Sequence, residues 1–162
     1  MSVNFTALEI FEIAEQIEKN GAKFYRQAAE MTNDKSMSSF FCQLAEMENN
    51  HEKIFAEMKE KIKDGAEDAT VFDPNDEIAY YLKAMGASAG WEGKALPRLS
   101  FSGKETPVQI LKAAIAAERS SIDYYLGLKE MVPHADRKKI DAIIKEEMGH
   151  VVTLQKHLEQ IS

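Results

Sequence analysis

Apolar residues recur every three or four positions along most of this chain, which is the period of an amphipathic α-helix. The pattern runs over about residues 6–31 and 35–63, and it returns over about residues 107–131 and 135–160. No segment shows a sustained alternation of apolar and polar residues bounded by turn residues, which would indicate strands. The sequence therefore predicts an all-α chain built on four long helices.

Residues typical of helix ends stand at the limits of these segments. Thr6 and Glu9 have the spacing of an N-terminal capping box. Pro107 occupies the first position of the third segment, where its missing N–H would have no partner within the helix. Gly65 follows the second segment, and glycine is common directly after a helix. The capping and terminal residues therefore predict the same helix ends as the apolar period.

The segment of about residues 65–105, between the second and third long helices, holds five of the eight glycines. We predict a short helix at about residues 76–85 and a loop over about residues 86–103. Two helical hairpins joined by such a long connection form an antiparallel four-helix bundle with a crossover. The whole chain, residues 1–162, is predicted to be one domain.

A set of polar residues is repeated between the two predicted hairpins. In each hairpin the first helix carries a glutamate followed seven residues later by a tyrosine, and the second helix carries a Glu-x-x-His motif. The two halves therefore look like copies of one helical hairpin. The repeated residues are Glu18, Tyr25, Glu48 and His51 in the first hairpin, and Glu118, Tyr125, Glu147 and His150 in the second.

The spacing of these residues has a chemical reason. Residues three apart share a helix face, and a seven-residue step is nearly two turns, so each tyrosine lies on the stripe of its own helix's glutamate. Four antiparallel helices that turn these groups inward present four carboxylates and two imidazoles, which is the ligand set of a di-metal bundle. Such ligands suit iron or manganese. The predicted metal ligands are Glu18, Glu48, His51, Glu118, Glu147 and His150, and Tyr25 and Tyr125 are predicted to orient the ligating carboxylates.

Each piece of this pattern has an ordinary explanation when it stands alone. A single glutamate on a helix usually faces solvent, and a single Glu-x-x-His motif arises easily by chance. Glu18, however, follows Ile17 and shares a stripe with Ala14, where a solvated glutamate would be out of place. Because a buried carboxylate without a partner is costly, a bound metal explains the joint pattern better.

The remaining residues of interest are predicted to lie outside the site. Cys42 is predicted to be a small core residue within an apolar stretch. Glu46 stands two residues before Glu48, and Glu146 stands directly before Glu147. By helical phase we predict that both side chains point away from the site. His134 is predicted to be exposed in a turn, and His157 could face either the core or the surface.

Composition limits the partners of the protein. A net charge of −7 argues against a phosphate-binding surface, and therefore against nucleic acid. No apolar run approaches the roughly 18 residues that span a bilayer, and the N-terminus lacks the pattern of a signal peptide. The single cysteine cannot form an internal disulfide. We therefore expect a cytoplasmic protein with neither nucleic acid nor membrane as a partner.

At these motifs the sequence resembles the ferritin-like superfamily, and within it the rubrerythrin-like branch. The resemblance runs from about Thr6 to Leu158 and rests on Glu18 with Phe24-Tyr25, Glu48-x-x-His51, Glu118 with Tyr124-Tyr125 and Glu147-x-x-His150. It implies a ferritin-like bundle that holds two iron ions, for which manganese or zinc could substitute. It also implies that Glu48 and Glu147 bridge the ions, and that peroxide or dioxygen is reduced while ferrous iron is oxidised.

Two departures from the rubrerythrin pattern affect the expected activity. Rubrerythrins have a rubredoxin-like domain with four cysteines, whereas this sequence has one cysteine, so a separate electron donor protein is expected. Rubrerythrins also carry a further glutamate three residues after the third-helix ligand, and this chain has Ser121 there. Peroxidase activity of the rubrerythrin type therefore does not follow from the resemblance alone.

Three functions agree with the sequence. The first is a di-iron oxidoreductase that acts on peroxide or dioxygen. The second is a ferroxidase that feeds iron storage, which would need a shell of many subunits. The third is a metal-free helical interaction protein in which the polar repeat is a remnant. A homodimer is the expected assembly, since two-fold symmetry is the commonest.

Overall fold

A computed structural model of the chain describes residues 6–63, 75–88 and 101–162. These residues form five helices and no strand, which confirms the predicted all-α class. The helices are α1 (Ala7–Met31), α2 (Lys35–Lys63), α3 (Glu77–Ser88), α4 (Pro107–Glu130) and α5 (His134–Ile161).

The four long helices begin and end within one residue of the predicted limits. The short helix α3 runs three residues beyond its predicted end, so residues 86–88 are helical rather than loop. The rest of the predicted crossover, residues 65–74 and 89–100, lies outside the described residues. The described residues contain no helix that combines the length and the apolar character needed to cross a membrane.

The starts of α1 and α4 are alike in detail. Thr6 accepts a hydrogen bond from the Glu9 N–H at 3.2 Å, and the Glu9 carboxylate accepts one from the Thr6 N–H at 2.8 Å. Thr106 and Gln109 make the same reciprocal pair, also at 3.2 and 2.8 Å. Both are capping boxes, which satisfy N–H groups that a helix start leaves unpaired. The repeat between the hairpins therefore extends from the polar motifs to the caps.

Buried apolar residues form two clusters, one towards each end of the bundle. The first includes Ile10, Ile13, Phe55, Leu128 and Ile140, and the second includes Phe24, Phe41, Leu44, Leu111 and Leu154. Helices α1 and α5 contribute to the first cluster from their N-terminal parts, whereas α2 and α4 contribute to it from their C-terminal parts. Each hairpin is therefore antiparallel, and α1 is also antiparallel to α4.

The crossover helix α3 packs against α4 at the first cluster. Leu82 is fully buried there, and the Tyr81 hydroxyl donates a hydrogen bond to the Asp123 carbonyl at 2.6 Å. Gly127 of α4 faces these two residues, and a Cβ at that position would lie 2.5 Å from the Tyr81 ring. The glycine therefore allows α3 to approach α4 closely.

The prediction that Cys42 lies in the core is wrong, because its side chain is exposed. Phe41, Leu44 and Ala45 form the buried stripe of this part of α2. Cys42 lies about 100° around the helix from Phe41, which turns it away from the neighbouring helices.

Candidate metal centre

The two apolar clusters are separated by a layer of buried polar side chains. On each long helix, the residues of this layer lie between the residues that enter the first cluster and those that enter the second. All six predicted metal ligands belong to the layer, and none is more than 5% exposed. They are Glu18 from α1, Glu48 and His51 from α2, Glu118 from α4, and Glu147 and His150 from α5.

The six residues form two overlapping groups, each able to hold one metal ion. Within each group, one ligand atom per residue lies within 4.8 Å of the others. The first group consists of Glu18, Glu48, His51 and Glu147, and the second consists of Glu48, Glu118, Glu147 and His150. Glu48 and Glu147 belong to both groups, and this is the arrangement that two bridging carboxylates require.

Glu147 lies between the two imidazoles. Its Oε1 is 2.9 Å from Nδ1 of His51, and its Oε2 is 3.0 Å from Nδ1 of His150. Nδ1 of His51 is also 3.5 Å from Glu18, and Nδ1 of His150 is 3.5 Å from Glu118. The two rings are nearly parallel, with their centroids 6.2 Å apart. Each imidazole therefore turns the same nitrogen towards the carboxylates.

Several buried atoms of the layer make no hydrogen bond of normal geometry to the described residues, although Oε1 of Glu147 and Nδ1 of His51 lie 2.9 Å apart. They are Oε2 of Glu18, Oε1 of Glu48, Nδ1 of His51, Oε1 of Glu147 and Nε2 of His150. An unsatisfied buried polar atom costs about 1–3 kcal/mol. Carboxylate and imidazole ligands that converge with unused lone pairs fit divalent cations, and two such cations would balance the four carboxylate charges.

Without cations, three of the four buried carboxyl groups, those of Glu18, Glu48 and Glu118, have raised pKa values. Burial raises the pKa of Glu18 well above its usual value, and the charge of Glu147 raises it further. Burial and the charge of Glu18 do the same to the pKa of Glu48. Burial, together with Glu147, raises the pKa of Glu118 to about 8. Metal binding must therefore displace protons from this layer.

The imidazoles and Glu147 form the charged part of the layer. Burial lowers the pKa of His51, but Glu147 and Glu146 outweigh burial and raise it to about 9. Burial likewise lowers the pKa of His150, but Glu118 and Glu147 raise it to about 10. Burial would raise the pKa of Glu147, yet its contacts with Glu118 and both imidazoles hold it below the usual range.

The two tyrosines of the repeat donate hydrogen bonds to candidate ligands, each on the other hairpin. The Tyr25 hydroxyl donates to Oε1 of Glu118, and the Tyr125 hydroxyl donates to Oε1 of Glu18. A seven-residue step along one helix rises about 10 Å, which is too far for a bond to the glutamate of the same helix. Burial and the nearby carboxylates raise the pKa of both tyrosines well above the usual value, so the hydroxyls stay protonated and donate.

The prediction that Glu146 points away from the site needs correction. Its Oε2 lies 2.8 Å from Nε2 of His51, although its side chain is 51% exposed. Glu146 precedes Glu147 on α5 and borders α2, so its carboxylate reaches the outer edge of the His51 ring. The signal in the sequence was a second acidic residue directly before the Glu-x-x-His motif.

The other histidines lie outside the layer. His134 begins α5 and is exposed, as predicted. His157 packs against the Phe40 ring at 4.7 Å between centroids. Neither belongs to the two candidate metal groups.

Gly21 and Ser121 occupy matching positions, three residues after the glutamates of α1 and α4. A Cβ at Gly21 would lie 2.7 Å from Oε2 of Glu48, so the glycine leaves room for that carboxylate. The Ser121 hydroxyl donates to the Ala117 carbonyl at 3.1 Å, within its own helix. The polar atom of Ser121 is therefore turned back to the backbone.

Comparisons with known proteins identify the family and the fold of the chain. A family model described as Rubrerythrin matches residues 5–96, which is more than half of the chain. A crystal structure described as a ferritin-like diiron-carboxylate protein of Thermotoga maritima superposes with a TM-score of 0.69. It is 22% identical, and the match covers 98% of this chain and 97% of that one, which confirms the predicted ferritin-like fold. No curated protein sequence matches the chain.

Proposed function

This chain belongs to the rubrerythrin family, and from that premise we propose that its buried layer holds two iron ions and that it reduces peroxide or dioxygen while ferrous iron is oxidised. The observation that carries the proposal is the overlap of two four-residue groups at Glu48 and Glu147. Two carboxylates shared between two groups support a pair of adjacent ions rather than one ion.

Each proposed position has its own ligands as well as the shared ones. Glu18 and His51 would serve one ion, and Glu118 and His150 would serve the other, since each pair belongs to one group alone. The absence of any thiolate from the layer favours iron or manganese over soft metals, and zinc could substitute in the laboratory. Two divalent cations would leave the layer with four carboxylates nearly neutral, so its burial would be tolerable.

When bound, two ferrous ions would supply the two electrons that, with two protons, convert one hydrogen peroxide to two waters. The chain's own residues provide geometry and exclude water. Tyr25 and Tyr125 hold the carboxylates of Glu118 and Glu18 by hydrogen bonds from the opposite hairpin. The apolar clusters above and below the layer limit the entry of water to the site.

Repeated turnover requires a source of electrons. The sequence has one cysteine, which cannot form the four-cysteine iron site of a rubredoxin-like domain. We therefore propose a separate electron donor protein. Because a single cysteine cannot form an internal disulfide of the kind common in secreted proteins, we also propose a cytoplasmic location.

For the assembly we propose a homodimer. Met148 and Val152 lie one turn apart on α5 and are 55% and 54% exposed, which suits a helix face covered by a second copy.

The alternative function, a ferroxidase that feeds iron storage, would require a closed shell of subunits. Particle size therefore distinguishes the storage protein from the dimeric oxidoreductase.

The proposal is tested by loading metal-free protein with ferrous iron without oxygen, and then adding peroxide or air in separate runs. We expect two irons per chain, oxidised faster by peroxide than by air. Fast oxidation by air, with many more irons retained in a shell-sized particle, would support storage instead. Failure to bind iron or manganese would leave the metal-free interaction protein.

A further inference from the structure

The two imidazoles of the layer differ on their outer edges. His51 directs Nδ1 towards the carboxylates, and its Nε2 lies 2.8 Å from the Glu146 carboxylate. His150 also directs Nδ1 towards the carboxylates. Its Nε2 is buried and has no hydrogen-bond partner among residues 6–63, 75–88 and 101–162. The two inner nitrogens therefore have carboxylate oxygens at similar distances, and the two outer nitrogens differ.

The repeat between the hairpins explains this difference. Glu146 stands directly before the Glu-x-x-His motif of α5, and the residue directly before the same motif in α2 is Met47. Met47 is half-buried, and a thioether is only a weak acceptor of hydrogen bonds. The first hairpin therefore lacks the carboxylate that would correspond to Glu146.

An acceptor behind an imidazole affects how the ring binds a metal. It holds the proton on the outer nitrogen, which leaves the inner nitrogen free to coordinate, and it makes that nitrogen a stronger ligand. Without an acceptor, nothing favours the tautomer that carries its proton on the outer nitrogen. The proton can then reside on the inner nitrogen, where it blocks coordination. Loss of such an acceptor typically weakens metal binding 10- to 100-fold.

We propose that Glu146 positions His51 for coordination and makes the two metal positions unequal, so that the ion at His51 binds first and more tightly than the ion at His150. This inference rests on the proposed two-ion function and adds an order of loading to it. Glu146 acts through His51 and does not itself belong to either candidate ligand group.

The test uses zinc, which has no redox chemistry, titrated into the metal-free full chain against a chromogenic chelator at one fixed pH. We expect two zinc ions per chain, with dissociation constants about 10- to 100-fold apart. E146A should weaken the tighter position by about that factor and bring the two constants together. E146Q should have a smaller effect, since the amide oxygen still accepts a hydrogen bond from Nε2.

A gain-of-function variant provides a second measurement. M47E places a carboxylate before Glu48, and it should tighten the weaker position and leave the tighter one unchanged. The control is E46A, which removes an exposed carboxylate from the preceding position of α2. It should leave both constants as they are.

Nitrogen-15 NMR of the zinc-loaded protein distinguishes positioning from a structural role. The His51 ring should show a metal-bound Nδ1 and a protonated Nε2 whose proton exchanges slowly with water. In E146A, that proton should exchange faster while the rest of the spectrum is retained.

Two results would overturn the inference. Two zinc ions bound with equal affinity, unchanged in E146A, would overturn it and leave the two-ion function intact. A wild-type chain that binds no metal would overturn both together.

Discussion

The Tyr25 hydroxyl on α1 donates a hydrogen bond to the Glu118 carboxylate on α4, across the boundary between the two hairpins. Tyr125 and Glu18 make the reciprocal bond in the opposite direction. Helices α1 and α4 are thus joined twice at the level of the candidate metal layer. Each hairpin therefore carries candidate ligands and also donates a hydrogen bond to a candidate ligand of the other hairpin.

Removal of one of these hydroxyls should reduce metal affinity by a larger factor than it reduces the stability of the fold. Y25F leaves Glu118 without its donor, and we expect zinc or manganese affinity to fall about 10- to 100-fold. The matched control is Y124F, since the equally buried Tyr124 donates to the Ile10 carbonyl at 2.8 Å, away from the layer. Both variants should lose about 1 kcal/mol of unfolding free energy, measured by urea denaturation of the metal-free protein. Equal loss of metal affinity in Y124F would contradict an orienting role for Tyr25.

The small residue at position 21 should be needed for metal binding and not for folding. In G21A the new Cβ would lie 2.7 Å from Oε2 of Glu48, so the carboxylate must move. Movement of a side-chain end costs little in the metal-free protein, and alanine favours a helix over glycine by about 1 kcal/mol. We therefore expect unchanged or higher thermal stability without metal, together with weaker binding of both ions. The measurements are a thermal melt and a zinc titration.

Gly149 offers the control for this experiment. It lies in α5 beside the layer, but a Cβ there would have no atom within 4 Å. G149A should gain similar stability and keep its metal affinity. If G21A also kept wild-type affinity, Glu48 would not be held where the structure has it.

The shared carboxylates should matter more than the unshared ones for metal stoichiometry. E48A and E147A each remove a residue that belongs to both candidate groups, and we expect them to abolish binding of two irons per chain. E18A and E118A each affect one group, so one ion should remain. Iron per chain is measured after anaerobic loading and gel filtration. Two irons retained in E147A would refute the ligand assignment.

The stability of the metal-free protein should fall as the pH rises. The pKa of Glu118 is raised to about 8, and those of His51 and His150 are raised to about 9 and about 10. The folded state therefore binds more protons than the unfolded state, from about pH 4.5 to 8 for the carboxyl and from about pH 6.5 to 10 for the imidazoles. Glu147, whose pKa is lowered, acts in the opposite direction, at acidic pH.

Thermal melts between pH 6 and 10 check this prediction. The melting temperature of the metal-free chain should decrease steadily, whereas that of the zinc-loaded chain should change much less, because cations take the place of the protons. A melting temperature independent of pH in the metal-free chain would show that the layer does not hold protons as described.

Much of the fold could be predicted because its causes are local. The apolar period, the capping boxes at Thr6 and Thr106, and Pro107 act within a few residues, and the structure places the long helices where those signals lie. The burial of the six candidate ligands follows from the sequence for a similar reason, since a repeated Glu-x-x-His spacing fixes which residues share a helix face. Cys42 was misjudged by the composition of its neighbourhood, although its position off the buried stripe of α2 was available from the same periodicity.

The sequence by itself therefore determined the helices, their inward faces and the residue types that meet at mid-bundle. Only the tertiary structure decided which side chains meet across helices: Tyr25 with Glu118, Glu146 with His51, and Gly21 with Glu48. These pairings depend on the rotation and the relative height of antiparallel helices, which result from packing of both apolar clusters at once. A pattern along one helix specifies which side chains share a face. It does not specify which side chains of another helix they will contact.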